Sequence, residues 1–307
     1  MRHYITFKDL TGAEYKVLFK RAKELKIARR QGHYLCHHLN GRSVGMVFNK
    51  NSTRTRVSFE CAINELGGHP VVLSSGESQI SRGETPSHTA RVLSRYLAGL
   101  VIRTYEEKEL TDLAEFSTVP IINGLTDEQH PCQVATDIFT LTETLSPEEK
   151  LEDQIVSWIG DGHNMANTWI EAACVLGFGL HLACPPGYEP DKNISSRAQS
   201  INKKIKFFKT PAEAVPGTRA VNTDVFSSMG QEKETAQRLI DFKDYKVTSE
   251  LMKLALPEAI FMHCLPAHVG EEVTQDVIES PASLVFEEAE NRLHVQKALL
   301  EFLIPKL

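Results

Sequence analysis

The chain has 307 residues, 34 Lys plus Arg against 40 Asp plus Glu, and a formal net charge of −6. Its hydrophobic fraction of 41% and charged fraction of 24% are those of a globular protein, which excludes disordered and low-complexity chains. A mildly acidic balance argues against general nucleic-acid binding, so any anionic ligand needs a local cluster of basic groups.

The length suggests two domains of roughly 150 residues each. No apolar run approaches the ~18 residues that cross a bilayer. The start, Met1-Arg2-His3-Tyr4-Ile5, has no apolar core of a secretory signal. Cys36, Cys61, Cys132, Cys174, Cys184 and Cys264 are scattered without a Cys-x-x-Cys pair. That argues against a disulfide framework and structural zinc, and for a reducing cytoplasm.

Thr11-Gly12-Ala13-Glu14 is a capping-box signature ahead of Tyr15, Leu18, Ala22 and Leu25, which recur at helical spacing. Residues 43–48 have strand character. Residues 55–66 read as a helix stopped by Gly67-Gly68. Strand 71–73, helix 84–96, strand 100–102, helix 111–116 and strand 119–123 follow. Residues 133–151 are mostly helical. The rhythm then resumes with strand 155–159, helix 166–176 and strand 180–184, with further apolar runs at 219–222 and 259–263 and a last helix from about Glu287 to Phe302. Alternating strands and helices imply parallel sheets covered on both faces. The expected fold is α/β: two doubly wound parallel-sheet domains joined by a bridging helix, with ligands at the C-terminal ends of strands.

The residues at those ends carry the chemistry. Ser52-Thr53-Arg54-Thr55-Arg56 opens a helix just after a strand. Backbone N–H groups, hydroxyls and guanidiniums together suit a phosphate, and a solvated basic helix start is the plainer alternative. Glu60 lies four residues after Arg56 and can hold it in an ion pair. Arg103 follows an apolar strand, either as a site cation or as a surface arginine. In His130-Pro131-Cys132-Gln133, Pro131 fits a first helical turn, and His130 either caps that helix or donates to an oxyanion.

Gly160-Asp161-Gly162 resembles half of a dinucleotide fingerprint, but Met165 stands where the third glycine belongs. A plain strand-to-helix turn explains the glycines better and leaves Asn164 and Asn167 as amide donors and acceptors. Asp224 follows a strand, as a partner for a substrate ammonium or as a cap. Residues 227–232 form either a lid or a simple loop. Cys264, beside His263, stands as a thiol nucleophile, a metal ligand or a strand-end binding residue, and no second ligand spacing supports the metal. Arg292 is either a cleft residue or a surface one.

Together Ser52-Thr53-Arg54-Thr55-Arg56, His130-Pro131-Cys132-Gln133, Asp224 with Ser228-Met229-Gly230, and His263-Cys264-Leu265-Pro266 resemble the aspartate/ornithine carbamoyltransferase family, and within it the ornithine branch. The resemblance runs along essentially the whole chain. It implies transfer of a carbamoyl group from carbamoyl phosphate to the δ-amino group of L-ornithine, giving L-citrulline and phosphate. A carbamoyltransferase acting on putrescine, an acylated ornithine or aspartate is the alternative.

The resemblance also implies roles. Ser52, Thr53, Arg54, Thr55 and Arg103 hold the phosphate. Thr55, Arg103 and His130 polarise the carbonyl. Pro131, Cys132 and Gln133 line the carbamoyl end with Cys264, Leu265 and Arg292. Asn164, Asp224, Ser228 and Met229 bind ornithine. No metal or organic cofactor is implied. A homotrimer is, with Gln79 entering a neighbouring subunit's site. The implied division assigns residues 1–132 and the C-terminal helix of about 287–307, returning to the first domain, to carbamoyl phosphate, and 133–286 to ornithine. His88, His163 and Val269 depart from the usual family pattern.

Overall fold

The structure, a computed structural model, describes residues 1–50, 52–74, 84–227 and 234–306. Two compact units divide the chain: Met1–Thr136 with Glu290–Leu307, and Asp137–Ala289.

In the first unit four parallel strands, β1 (Ser43–Phe48), β2 (His69–Ser74), β3 (Leu100–Arg103) and β4 (Ile121–Leu125), stand in the order β2-β1-β3-β4. Helices α1 (Gly12–Arg30), α2 (Thr53–Glu65), α3 (Pro86–Tyr96) and α4 (Glu107–Phe116) belong to it. The expected capping box closes the start of α1: the Glu14 N–H donates to Thr11 Oγ1 at 3.3 Å, and the Thr11 N–H donates to Glu14 Oε2 at 2.8 Å. Val47, Ala90, Leu97, Leu100, Ile102, Leu110 and Ile121 pack into one apolar cluster. Burying such side chains supplies the main drive to fold. The chain leaves this unit within α5 (Pro131–Glu143).

The second unit holds five parallel strands: β5 (Ile155–Ile159), β6 (Gly179–Ala183), β7 (Ile205–Phe208), β8 (Ala220–Thr223) and β9 (Ile260–His263), in the order β7-β6-β5-β8-β9. Between and after them lie α6 (Asn164–Leu176), α7 (Lys192–Ile201), α8 (Pro211–Ala214), α9 (Thr235–Asp241), α10 (Ser249–Met252) and α11 (Gln275–Ile278). The last helix, α12 (Val285–Leu303), starts in this unit and ends in the first. Ile159, Val221, Phe261, Val247, Val273 and Val285 anchor the core of the second unit.

Three local expectations shift. Helix α4 starts at Glu107, a turn before the apolar spacing begins, because Glu107 and Glu109 favour the positive end of the helix dipole. Strand β4 begins after Pro120, which has no N–H to give to a ladder. Strand β7 and helix α7 carry little apolar signal. β7 is a sheet edge, with only Ile205 of its four residues buried, and α7 buries Ala198 alone.

Each sheet has one point where the chain order reverses: between β1 and β3 in the first unit, and between β5 and β8 in the second. The paired strands end level there, Phe48 beside Arg103 and Ile159 beside Thr223. Loops leaving adjacent strands in opposite directions open a crevice at such a point, and ligands of doubly wound sheets bind in it.

The turn after β5 is tight. Gly160 has φ +136°, a conformation that favours glycine. The Gly162 N–H donates to the Tyr188 carbonyl at 2.8 Å, and a Cβ at 162 would meet Pro190 N at 2.3 Å and Tyr188 O at 2.5 Å. Both obstacles are backbone, so Gly162→Ala is expected to destabilise the fold by about 1–3 kcal/mol. Urea unfolding checks this, and an unchanged midpoint would show that the 188–190 loop yields freely.

Candidate active site

The first unit gathers its polar groups at the β1/β3 switch point. Ser52 caps α2, its Oγ accepting the Thr55 N–H at 3.2 Å. Thr53 is exposed and Arg54 half-buried at this helix start, where backbone N–H groups and the dipole favour an anion. Arg56 points away and pairs with Glu60 at 2.8 Å, as the spacing suggests. Arg103 is the last residue of β3 and is 6% exposed.

At the start of α5 the His130 carbonyl accepts the N–H groups of Gln133 (3.1 Å) and Val134 (3.2 Å), so His130 caps this helix through its backbone. Pro131 takes the first helical position, where a missing N–H costs nothing. The Cys132 thiol is buried, donates to the Asn123 carbonyl at 3.3 Å, and is pushed up to about 12 by that burial.

Arg292, on α12, ties these pieces together. Its Nη2 donates to Thr55 Oγ1 at 2.8 Å and its Nη1 donates to Gln133 Oε1. All three side chains are almost wholly buried. Both acceptors are neutral, so neither cancels the guanidinium charge. His130 senses this charge. Burial, then the Arg292 and Arg103 cations, hold its imidazole well below the ordinary histidine value. A neutral imidazole beside two guanidiniums and a helix N-terminus is a pocket for an oxyanion.

The second unit gathers a different set at the β5/β8 switch point. Asn164 opens α6, its Oδ1 accepting the Met165 N–H at 2.8 Å. His163 takes the cap position without a side-chain cap bond. Asp224 follows β8, and its Oδ1 accepts the Val225 N–H at 2.8 Å and the Cys264 thiol at 3.1 Å. Burial, together with the Asp224 charge and hydrogen bond, pushes the Cys264 thiol well above its ordinary value. Cys264 therefore acts as a hydrogen-bond donor, not as a thiolate nucleophile. Leu265, next in the chain, has φ +55°.

Gln79, Ser228 and Met229 lie outside the described residues, as do 228–232 of the segment weighed as a lid. His88 opens α3, its N–H donating to Thr85 Oγ1 at 3.3 Å, and Val269 is 45% exposed.

Two features escape a reading of the sequence. Asp161, between the two glycines, forms a buried ion pair with Arg238 of α9 at 2.7 Å, and Arg238 also donates to the Phe226 carbonyl at 3.0 Å. Only the separation of 77 positions between the partners hides it, since a carboxylate at a switch point is itself a signal. The second is the pair His263 and Glu272, with Nε2 and Oε1 3.0 Å apart.

Asp224, His263 and Cys264 offer ligand atoms within 4.8 Å of one another, as do His268, Glu271 and Glu272. In the first group the Cys264 thiol donates to the Asp224 carboxylate.

Known proteins resemble this chain along nearly its whole length. Residues 2–143 match the model of the carbamoyl-P binding domain of aspartate/ornithine carbamoyltransferase, and residues 152–303 match that of its Asp/Orn binding domain. The ornithine carbamoyltransferase of Chromobacterium violaceum is 51% identical, with 99% of this chain and 97% of that protein covered. That of Geobacter metallireducens is 48% identical, with 99% of each covered. The structure of ornithine carbamoyltransferase from Pyrococcus furiosus superposes with a TM-score of 0.93 at 42% identity, covering 99% of this chain and 97% of that one. The anabolic ornithine carbamoyltransferase of Campylobacter jejuni gives 0.90 at 38% identity, covering 99% of both. With both domain models matched in order and half the residues shared with full-length relatives, the chain belongs to the aspartate/ornithine carbamoyltransferase family.

Proposed function

We propose that this chain transfers the carbamoyl group of carbamoyl phosphate to the δ-amino group of L-ornithine, releasing L-citrulline and phosphate. The observation that carries this reading is the oxyanion pocket of the first unit. There Thr55, Gln133 and Arg292 are locked together around a helix N-terminus, with Arg103 and a neutral His130 beside them. Aspartate and ornithine enzymes share such a pocket in principle. Ornithine is favoured by Asp224, an anionic partner for an α-ammonium, and by the name the close relatives carry.

In this mechanism Ser52, Thr53, Arg54, Thr55 and Arg103 hold the phosphate, with Arg292 bracing Thr55 and Gln133. Arg103, Thr55 and the neutral His130 polarise the carbonyl, and Pro131, Cys132 and Gln133 shape the carbamoyl end. Asn164, Asp224, Ser228 and Met229 hold ornithine, and Cys264 and Leu265 serve its reacting end. The neutral δ-amine attacks the carbonyl carbon and a new C–N bond forms. Donors aimed at the carbonyl oxygen stabilise the tetrahedral charge. The C–O bond to phosphate then breaks, and the phosphate leaves with the proton shed by the amine. Holding both reactants at attack distance supplies much of the acceleration, so no dedicated base is needed. The same reading places the enzyme in the cytoplasm, in arginine biosynthesis, as a homotrimer to which Gln79 lends a residue across subunits.

Citrulline formation with a panel of amines tests the reaction, and turnover confined to an amine other than ornithine would replace the acceptor. Arg54→Ala is expected to weaken carbamoyl phosphate binding by about 10–100-fold, the worth of a charged hydrogen bond. Calorimetric titration measures it, and wild-type affinity would move the anion site elsewhere. Asp224→Ala is expected to raise the ornithine KM roughly tenfold while carbamoyl phosphate affinity holds. Unchanged kinetics would reduce this carboxylate to a cap for Val225.

The pH dependence has a definite sign. The attacking amine resembles a lysine, so its neutral fraction rises with pH up to about 10. His130 is held low, so it stays neutral and contributes no step near the ordinary histidine value of about 6.5. Its folded pKa is depressed, so the unfolded chain binds the extra proton, and stability falls as pH drops below that value. The kcat/KM for ornithine is therefore expected to climb steadily from about pH 6.5 to about pH 9. A histidine step in that profile, abolished by His130→Asn, would contradict the neutral imidazole.

A further inference from the structure

The turn after β9 carries Cys264 and Leu265, and its shape is set by buried groups that the proposed reaction does not use. His263 and Glu272 are both 0% exposed. The His263 backbone N–H donates to Glu288 Oε2 at 3.0 Å. Its ring has two neighbours. The Leu265 N–H donates to Nδ1 at 2.9 Å, and Nε2 lies 3.0 Å from Glu272 Oε1. A ring nitrogen that accepts a backbone N–H carries no proton. The proton therefore sits on Nε2 and is donated to Glu272. The same carboxylate oxygen accepts the His268 N–H at 2.6 Å. One oxygen thus fastens both ends of the 263–268 turn.

What lies between these ends is the segment given a role in the reaction. Leu265, at φ +55°, occupies a left-handed conformation that a side chain with a Cβ disfavours. The bond from its N–H to His263 Nδ1 holds it there. Cys264, between the two, gives its thiol proton to Asp224.

We propose that Glu272 is a positioning residue, which fixes the tautomer of His263 and through it the Leu265 backbone and the Cys264 thiol. This deepens the carbamoyl-transfer reading and rests on it. Without an acceptor at 272, the Nε2 proton is buried and unbonded, which favours moving it to Nδ1. An Nδ1–H then faces the Leu265 N–H, donor against donor, and the turn loses its hold on Leu265. Glutamine at 272 keeps an acceptor oxygen at the same reach, whereas alanine keeps none.

The test has two readouts. In the wild-type protein labelled with 15N-histidine, His263 is expected to show the neutral Nε2–H pattern, assigned by its disappearance in His263→Asn. An Nδ1–H or doubly protonated pattern overturns the inference without any assay of activity. In steady-state kinetics Glu272→Ala is expected to lower kcat roughly tenfold with the KM for carbamoyl phosphate held within about twofold, and Glu272→Gln to recover most of the loss. Equal kcat in all three proteins overturns the positioning role and leaves carbamoyl transfer standing. A wild-type enzyme that forms no citrulline defeats the transfer reading instead, and the spectrum then decides the tautomer alone. The spectrum also decides if Glu272→Ala does not fold.

Discussion

A guanidinium buried where two helices begin organises the first unit. Arg292 reaches from the last helix to Thr55 at the start of α2 and to Gln133 at the start of α5. Bonds to a hydroxyl and an amide offset part of the cost of burying that charge. Two helix N-termini add positive potential beside it, and Arg103 adds a second cation near His130. Burial first, and then the Arg292 and Arg103 charges, depress the basicity of His130. Such a pocket is costly for the empty protein and favourable for a dianion. Energy held in this way is available to a transition state whose charge grows at the same place.

The second unit solves the opposite problem. Its switch point presents a carboxylate, Asp224, and amide groups, with a thiol kept protonated by burial and by that carboxylate. The glycines at 160 and 162 let two loops approach closely, and the Asp161–Arg238 pair anchors α9 beside them. A carboxylate at this place suits a cation better than an anion. The two units thus differ in the charge their switch points favour, cationic groups in the first and a carboxylate in the second.

Much of this was legible in the sequence for a physical reason. Central parallel strands are buried on both faces and therefore read as short apolar runs, so β1, β3 and β5 stand out as such. The capping box of α1 and the Arg56–Glu60 pair are local, four residues or fewer apart, and spacing alone reveals them. The edge strand β7 did not stand out, because Lys206 faces solvent and interrupts the run. Nor did the functional grouping of Arg292 with Thr55, which are 237 residues apart. The same holds for Asp161 with Arg238, since no rule of spacing joins partners brought together only by crossover connections. Resemblance to a family supplied what periodicity does not: the order of the motifs along the chain.

The six cysteines differ in a way that matters to chemical labelling. Burial holds the thiols of Cys132, Cys174, Cys184 and Cys264 above the ordinary range, and burial with Glu301 does so for Cys36. Cys61 is the one exposed cysteine, on the outer face of the helix whose first turn is Thr53-Arg54-Thr55. Towards a maleimide or iodoacetamide probe at neutral pH, this six-thiol chain should behave nearly as a single-thiol one. A fluorophore can thus be attached to helix α2 of the native sequence with no cysteine removed.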